Sequence, residues 1–373
     1  MENVEIDKTL FGGVFENKTV LVTGHTGFKG SWLSYWLSEI GSNVIGYSSS
    51  IMTEPSHYDI LGLSTKINDI RGDVRDLHKL NEVFTSYKPD IVYHLAAQSL
   101  VRPSYRYPAE TFTTNIVGTA NVLECVRSHD FVTGIVNVTS DKCYENFEDD
   151  RAYAEDNRMG GYDPYSASKG AAELVANSYR SSFFNPLSYG ERHNVLLASA
   201  RAGNVIGGGD WSDNRLIPDM IKTAIKNEIT SIRSPRSTRP WQHVLEPLSG
   251  YLLIGQRILE REVSISDSWN LGPLNNETLP VSDVVTLSSN AWNKIKYQFE
   301  TIDETMHEAK LLRLDCTKAN QNLNWSPVWD AKEAITKTIR WYQSFYEEDV
   351  CLTENQLLDY IDEAKKMKKE WAQ

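Results

Sequence analysis

A glycine-rich turn near the start of the chain constrains the fold more than any other segment. The apolar run Val20-Leu21-Val22 leads into residues 23–30, TGHTGFKG, and a segment with apolar residues at helical spacing follows at once. A strand that enters such a turn and opens a helix suits a dinucleotide pyrophosphate, because the first amides of the helix point at the phosphates. Its glycines permit the tight turn, the approach of the backbone to the phosphates and close packing of helix on sheet. The residues predicted to bind a dinucleotide here are Gly24, Thr26, Gly27, Phe28, Lys29 and Gly30.

Strand-like and helix-like segments alternate over the first half of the chain. Short apolar runs predict strands at residues 20–23, 43–47, 66–70, 91–95, 135–139 and 195–200. Apolar residues at helical spacing predict helices at residues 29–40, 77–87, 108–127 and 166–184. The first helix presents an apolar face to the core, formed by Trp32, Leu33, Trp36, Leu37 and Ile40. This alternation predicts an α/β fold, a Rossmann-type doubly wound parallel sheet with ligands at the carboxyl ends of its strands.

The pattern changes after Arg201. Residues 207–211, GGGDW, form a loop signal, and residues 231–240 are rich in Ser, Arg and Pro with little periodicity. We expect a smaller substrate-binding domain to begin there, and segments near residues 244–259 and 269–271 to return to the first domain. The predicted division is a dinucleotide-binding domain of residues 1–200 and 244–272, and an interleaved smaller domain of residues 201–243 and 273–373.

Composition and charge exclude several classes of partner. The 373 residues carry a formal net charge of -12, which repels both a nucleic-acid backbone and an anionic membrane. A phosphorylated ligand must therefore be held by local cations or backbone amides. The N-terminal residues lack the apolar core of a secretory signal, no later stretch is long enough to span a bilayer, and the cysteines form no C-x-x-C pair. We expect a cytoplasmic protein with reduced thiols and no metal site.

A tyrosine and a lysine four residues apart give the sharpest catalytic signal. Tyr165 and Lys169 begin a predicted helix that follows the strand ending near Thr139, and residues at this spacing share one helix face. A phenol has a pKa of about 10, so it is a poor base at neutral pH unless a nearby ammonium favours the phenolate. This pair falls where the far end of a dinucleotide bound at the glycine-rich turn should lie, which predicts redox catalysis.

With the glycine-rich turn and the tyrosine–lysine pair together, the chain resembles the extended short-chain dehydrogenase/reductase family. Residues 94–98, HLAAQ, are similar to the family's cofactor-floor segment, residues 72–74, GDV, to its adenine-contacting turn, and Asn115 to its structural or proton-relay asparagine. The resemblance implies NAD, held additionally by Asp73, Val74, Leu95, Ala96, Ala97, Gln98, Asn115, Tyr165 and Lys169. Residues 47–50, YSSS, lack the acid that often selects NAD, but they also lack an arginine for the 2′-phosphate of NADP. His94 is interpreted as a buried structural imidazole.

Within this family, several stretches resemble the nucleotide-sugar dehydratases that act on CDP-glucose. The match spans most of the chain and includes residues 24–33, 100–105, 139–144, 201–211 and 239–244. Asp141-Lys142 is its most diagnostic element, because related dehydratases place Asp-Glu there and epimerases of the same fold lack this acid/base pair. The alternatives are an epimerase or dehydratase that uses a UDP- or dTDP-sugar, and a dinucleotide-sensing regulator without chemistry. The intact tyrosine–lysine pair counts against the regulator.

The resemblance implies a complete reaction in which CDP-glucose becomes CDP-4-keto-6-deoxyglucose and water. Tyr165 takes the C4 hydroxyl proton during oxidation of C4 while Ser140 hydrogen-bonds the C4 oxygen. Asp141 then acts as the acid and Lys142 as the base for loss of water across C5 and C6, and hydride returns to C6, so that NAD ends as it began. The product would supply deoxysugars of surface polysaccharide, such as the O-antigen of lipopolysaccharide.

The anionic diphosphate of such a substrate needs cations that the net charge does not supply. Arg239 is the first candidate and Arg102 and Arg215 are supporting ones, because guanidinium groups match phosphate oxygens. Asn204, just past a predicted strand end, is expected to hydrogen-bond the sugar nucleotide. The resemblance further implies a homodimer formed through the helices that begin near residues 108 and 166, with a tetramer left open.

Overall fold

A seven-stranded parallel sheet forms the centre of the protein. The computed structural model describes residues 6–273, 278–300 and 312–373. Residues 274–277 and 301–311, which belong to the predicted smaller domain, lie outside the described residues. In chain order, the strands of the described residues are β1 (Thr19–Thr23), β2 (Asn43–Ser48), β3 (Asn68–Arg71), β4 (Ile91–His94), β5 (Gly134–Val138), β6 (Ala152–Tyr153), β7 (Leu196–Arg201), β8 (Val205–Ile206), β9 (Ile229–Ile232), β10 (Thr238–Arg239), β11 (Gln242–His243), β12 (Ser268–Asn270), β13 (Leu279–Pro280), β14 (Lys296–Phe299) and β15 (Arg313–Leu314).

The strand order of the central sheet is β12-β7-β5-β4-β1-β2-β3, and every neighbouring pair is parallel. The order reverses between β1 and β4, and open α/β sheets bind ligands beside the carboxyl ends of the strands at such a point. The predicted α/β fold with a doubly wound parallel sheet is confirmed. The segment 268–270 joins the sheet by pairing with β7. The division into two domains stays a prediction.

Helices connect the strands and cover both faces of the sheet. In chain order, the α-helices of the described residues are α1 (Phe28–Glu39), α2 (His57–Ile60), α3 (Leu63–Lys66), α4 (Leu77–Tyr87), α5 (Val101–Arg106), α6 (Pro108–Phe112), α7 (Gly118–Ser128), α8 (Pro164–Ser182), α9 (Leu216–Ile225), α10 (Leu245–Leu259), α11 (Val281–Ala291), α12 (Thr317–Asn322), α13 (Ala331–Glu347) and α14 (Thr353–Lys366). Several begin at an aspartate that caps the first turn; the Asp163 side chain, for example, accepts the backbone N–H of Ser166 at the start of α8.

Two apolar clusters bury the two faces of the sheet. Val20 and Val22 pack with α1, α10, α13 and α14, whereas Leu21 between them packs with α4, α7 and α8. The apolar face of α1 lies in the first cluster, as predicted, with Trp32 and Trp36 fully buried. In the parts of the chain that the structure describes, no helix is both long and apolar enough to cross a membrane.

Three sequence predictions of local structure are wrong in detail. The strand predicted at residues 66–70 begins only at Asn68, because residues 63–66 form the short helix α3. The helix predicted at residues 108–127 contains a π-helical stretch, Thr113–Val117, between α6 and α7. The irregular stretch predicted at residues 231–240 includes part of β9 and all of β10, because both strands pair with strands from distant segments.

Candidate active site

A cleft of about 530 Å³ lies next to the carboxyl ends of β5 and β7. Residues from the first helical turn after β1, from the loops after β5 and β7 and from α8 meet there, together with residues 230–241. The predicted site residues that line the cleft are Lys29, Arg102, Ser140, Asp141, Lys142, Tyr165, Asn204, Arg215 and Arg239. The predicted catalytic and substrate-binding residues, apart from Lys169, therefore share one cavity.

The glycine-rich turn is packed so tightly that side chains at two of its positions would collide with backbone. Gly24 has a φ of 75°, and a Cβ there would lie 2.8 Å from the backbone nitrogen of Ala96. A Cβ on Gly30 would overlap the carbonyl of Gly24. Gly27 precedes the twelve-residue helix α1, whose first amides have no partner within a helix and so face the turn. This arrangement fits a dinucleotide pyrophosphate.

Among the other predicted cofactor residues, Leu95 and Ala96 border the same turn. Leu95 donates its backbone N–H to the Thr23 carbonyl at 3.1 Å, and Ala96 donates to the Thr23 hydroxyl at 3.2 Å, so the segment after β4 lies against the end of β1. Asp73 follows β3, and Arg75 holds the pKa of its carboxyl below the usual range by hydrogen bonding. Val74 is buried, and residues 95–98 are partly buried. The cofactor contacts themselves stay predictions.

Asn115 connects the segment after β4 to the helix that carries Tyr165. Its Nδ2 donates to the Gln98 carbonyl at 2.9 Å and to the Ser168 hydroxyl at 2.7 Å, and its Oδ1 accepts the Gln98 N–H at 2.8 Å. The Ser168 hydroxyl in turn donates to the Tyr165 carbonyl at 2.7 Å. Asn115 lies inside the π-helical stretch, a local distortion that occurs frequently at functional sites. The observed contacts of Asn115 therefore hold the segment after β4 against α8.

Tyr165 occupies the first turn of α8 and faces the cleft. Its backbone N–H donates to the Ser104 hydroxyl at 3.1 Å, and its side chain is hydrogen-bonded to Ser140. Burial raises the pKa of the Tyr165 phenol to about 12, while the hydrogen bond with Ser140 and the positive charge of Arg215 oppose this shift. Arg215, which the sequence predicted only as a contact of the diphosphate, is therefore also a cation that acts on the phenol.

Lys169 lies beneath the cleft, one turn along α8 from Tyr165. Its Nζ donates to the Val138 carbonyl at 3.4 Å. Burial lowers the pKa of Lys169 to about 8, and the carboxylate of Glu173, one further turn along the helix, opposes the shift. The stabilisation of a Tyr165 phenolate by Lys169 stays a prediction.

Asp141 and Lys142 lie on a short 3-10 turn directly after β5. The Ser140 hydroxyl donates to Asp141 Oδ1 at 2.8 Å and accepts the Lys142 N–H at 3.3 Å. The Asn204 carboxamide donates to Asp141 Oδ2 at 3.3 Å. Both Asp141 and Lys142 line the cleft, and Asp141 is buried. An acid and an amine thus lie side by side next to the phenol of Tyr165.

A buried ion pair that the sequence analysis missed supports this turn. Arg201 Nη2 lies 2.8 Å from Glu173 Oε2, and the two side chains are only 4% and 3% exposed. Thr139 donates its hydroxyl to Glu173, and Arg201 Nη1 donates to the Tyr144 hydroxyl at 2.7 Å, so the pair holds both ends of residues 139–144. The four-residue spacing from Lys169 to Glu173 was the available signal in the sequence.

Several cations line the same cleft. Arg215 pairs with Asp210 at 2.8 Å, and Arg102 donates to the Asn214 side chain at 3.1 Å. Arg239 donates to the Thr238 carbonyl at 2.9 Å. Arg233 also lines the cleft and was not singled out in the sequence. These guanidinium groups suit an anionic ligand such as a diphosphate.

Lys29 is the one predicted cofactor residue of the glycine-rich turn that also lines the cleft. Its Nζ lies 3.5 Å from the Tyr251 hydroxyl. Burial lowers the pKa of Lys29 to about 7, and the positive charge of Arg215 adds to the shift. The Lys29 side chain therefore connects the start of α1 with the cleft that Arg215 also lines.

Known proteins match this chain over most of its length. The family model described as GDP-mannose 4,6 dehydratase matches residues 21–338. A CDP-glucose 4,6-dehydratase of Salmonella typhimurium is 46% identical over 358 residues, which cover 95% of this chain and 98% of that protein. A CDP-paratose 2-epimerase of Salmonella typhi is 24% identical, over 87% of this chain and 99% of its own length.

Solved structures share the fold. A UDP-glucose 4-epimerase from Thermotoga maritima, solved with UDP-glucose, has a TM-score of 0.74 at 20% identity and covers 88% of this chain and 100% of that one. A dTDP-glucose 4,6-dehydratase from Streptomyces venezuelae, solved with NAD, has a TM-score of 0.73 at 21% identity and covers 88% of this chain and 99% of its own. Because the family model and the 46% identical relative both span most of the chain, the protein belongs to the GDP-mannose 4,6-dehydratase family of nucleotide-sugar enzymes, within the extended short-chain dehydrogenase/reductases.

Proposed function

We propose that the protein is a CDP-glucose 4,6-dehydratase that converts CDP-glucose to CDP-4-keto-6-deoxyglucose and water. The observation that carries the proposal is the grouping of Tyr165, Ser140, Asp141 and Lys142 in one cleft. This set provides a phenol for redox chemistry and an acid/amine pair for elimination. The choice of CDP-glucose is supported by the relative that is 46% identical over nearly the whole chain.

NAD is the proposed cofactor, and the glycine-rich turn suits it. Gly24 and Gly30 allow the backbone approach that a pyrophosphate needs, and the amides of residues 28–30 open α1. Residues 95–98 and Asp73 would complete the binding surface. When bound, NAD supplies a two-electron acceptor for C4 and a two-electron donor for C6.

In the first step, Tyr165 takes the proton of the C4 hydroxyl. Ser140, which is hydrogen-bonded to Tyr165 in the structure, would hold the C4 oxygen beside the phenol. The positive charge of Arg215 favours the phenolate form. The resulting C4 ketone acidifies the neighbouring hydrogen on C5.

In the elimination step, the Lys142 amine takes the proton from C5 and the Asp141 carboxyl gives a proton to the C6 hydroxyl. The C6–O bond breaks, a double bond forms between C5 and C6, and water leaves. As C6 is then reduced, the Lys142 ammonium returns a proton to C5. Asp141 and Lys142 suit these two roles because neighbouring positions on one turn can reach neighbouring carbons of a sugar.

The finer predictions belong to the same proposal. Cytoplasmic location is supported by the four free cysteine thiols, two of them buried, which fit a reducing compartment. A homodimer through the helices near residues 108 and 166 is supported by exposed apolar side chains there, at Phe112, Val117, Leu174 and Phe183. The product class suits the synthesis of deoxysugars for surface polysaccharide.

A substrate comparison tests the proposal. Purified protein is incubated with NAD and with CDP-, UDP- or dTDP-glucose, and the alkali-induced absorbance of the 4-keto product is followed. CDP-glucose should be converted with the highest kcat/KM. Equal or better turnover of dTDP-glucose would remove the cytidine assignment, and stoichiometric NAD binding without turnover of any nucleotide sugar would favour the regulator.

A further inference from the structure

The turn after β7 is built against the carboxyl group of Asp141. A Cβ on Gly203 would overlap the Asp141 carboxylate, so only glycine leaves that group its space. The next residue, Asn204, has a φ of 49°, in the left-handed region that asparagine tolerates better than most residues. From this conformation its carboxamide donates to Asp141 Oδ2 at 3.3 Å.

The same turn is itself held from a distant segment. The Gln242 side chain donates to the carbonyls of Gly203 at 3.1 Å and Leu271 at 3.0 Å, and the Gln242 backbone N–H donates to the Asn204 carbonyl at 3.3 Å. Gln242 is buried. Two of these hydrogen bonds therefore hold residues 203–204, and the third connects Gln242 to Leu271, which directly follows β12 of the central sheet.

Asp141 thus receives hydrogen bonds on both carboxyl oxygens from different elements. Ser140 donates to Oδ1 from the turn after β5, and Asn204 donates to Oδ2 from the turn after β7. Two donors on two oxygens fix the rotation of the carboxyl plane. A proton donor depends on such orientation, because a misplacement of about 1 Å at the reacting group can cost about a hundredfold in rate.

We infer that Asn204 is a positioning residue for the elimination step, which orients the Asp141 carboxyl toward the C6 hydroxyl, and that Gln242 holds the turn that presents it. The inference rests on the proposed function and refines it, because Asn204 would act through Asp141 rather than through binding of the sugar nucleotide. In this role Asp141 still gives its proton to the leaving hydroxyl, and Asn204 exchanges none.

The test uses Asn204→Gly, which keeps the left-handed backbone and removes the carboxamide. In single-turnover traces with NAD and CDP-glucose, reduced nicotinamide should form at the wild-type rate and then persist. Release of the 4-keto-6-deoxy product should slow about tenfold to a hundredfold, with a change in KM below about twofold. Asn204→Asp, which replaces the donor by a second carboxylate, should slow the same step.

Two controls separate positioning from a general structural effect. Asn227→Gly removes another asparagine with positive φ, outside the cleft, and should leave both steps unchanged. In an Asp141→Asn background, Asn204→Gly should add little further loss, because residues that act through one group are not additive.

The results that would contradict the inference on Asn204 can be distinguished from those that would contradict the proposed function. A raised KM for CDP-glucose without persistence of reduced nicotinamide would assign Asn204 to substrate binding and overturn the inference alone. Full additivity with Asp141→Asn would also overturn it. A wild-type protein that does not convert CDP-glucose would overturn the proposed function and this inference with it.

Discussion

The two walls of the cleft are built in different ways. On the first wall, formed by the starts of α1 and α8 and the turn after β5, functional groups follow directly from strand ends and first helical turns, as with Lys29 on α1 and Tyr165 on α8. On the second wall, formed by Arg102, Arg215 and Arg239, side chains are held by other side chains, as with Arg102 and Asn214 or Arg215 and Asp210. The first wall is fixed by local backbone geometry and the second by contacts between side chains.

Because of this difference, we expect substitutions on the two walls to have different effects. A substitution on the first wall that keeps the backbone removes one chemical function and leaves the geometry intact. A substitution on the second wall removes a contact on which a neighbouring group also depends. The predictions below test this contrast.

The largest expected effect is that of Tyr165→Phe, which keeps the ring and removes the proton acceptor. Oxidation at C4 should fall by about two to four orders of magnitude, the usual scale of acid/base catalysis. The protein should fold and bind NAD as before, because the backbone N–H of Tyr165 still donates to Ser104. The measurement is the rate of reduced nicotinamide formation with CDP-glucose.

Tyr179→Phe is the matched control, since Tyr179 lies on the same helix and its hydroxyl donates to Glu124 at 3.3 Å outside the cleft. It should leave the oxidation rate unchanged. Near wild-type turnover of Tyr165→Phe would show that the first wall does not supply the base.

Lys142→Met separates elimination from oxidation. C4 should still be oxidised, but the C5 hydrogen then has no acceptor, so product release should fall about a hundredfold or more. Reduced nicotinamide should persist, and solvent deuterium should fail to enter C5. A single-turnover absorbance trace and mass analysis of recovered sugar measure both effects.

The exposed Lys226 lies outside the cleft, and Lys226→Met should behave as the wild type. If Lys142→Met exchanges C5 and releases product at the normal rate, Lys142 is only a positioning cation. The base would then have to be sought elsewhere in the cleft.

The glycine-rich turn beside the first wall could be located from the sequence for a physical reason. A strand, a glycine-rich turn and a helix are consecutive in the chain, so their spacing alone carries the geometry of Gly24 and Gly30. His94 was likewise interpreted correctly as structural, since its ring is hydrogen-bonded to Thr23 at 2.8 Å and Thr119 at 3.1 Å.

The missed residues have partners far away in the chain. Arg201 pairs with Glu173 on α8. Gln242 donates a hydrogen bond to the carbonyl of Gly203, which lies 39 residues earlier in the chain. Spacing along the chain can mark Glu173 beside Lys169 on α8, but it does not record which distant residue pairs with it, because side-chain packing in three dimensions decides such pairings. Arg233 was missed for the same reason. It directly follows β9, a strand that the local sequence does not predict because it forms by pairing with the distant strand β14.

Glu246 tests whether stability and catalysis can be separated. Its carboxylate, on α10, accepts the backbone N–H groups of Val328 and Trp329 at 2.9 and 2.8 Å and the Tyr360 hydroxyl at 2.7 Å, and it joins the C-terminal helices to the core. Burial raises the pKa of Glu246 to about 7 from its ordinary value of 4.5. Between these two values the folded state holds a proton that the unfolded state has lost.

The free energy of unfolding should therefore fall as pH rises through this window, by at most about 3 kcal/mol from this group. Glu246→Gln should flatten that slope in denaturant titrations at several pH values, even where the lost acceptor lowers stability overall. An unchanged slope would contradict the assignment. Activity per folded molecule should not change, because Glu246 does not line the cleft.

The smallest effect is expected for Arg239→Ala on the second wall. Arg239 lies on β10, paired with β13, and lines the cleft. Loss of a charge-assisted hydrogen bond of about 1.5–3 kcal/mol should raise the KM for CDP-glucose about tenfold to a hundredfold, with little change in kcat. Arg239→Lys should recover part of this loss, because an ammonium restores the charge without the planar pair of donors.

Steady-state kinetics give both constants, and Arg192→Ala, outside the cleft, is the control. A fall in kcat at constant KM would instead mean that Arg239 stabilises the reacting sugar, so that the second wall would take part in the chemistry as the first wall does.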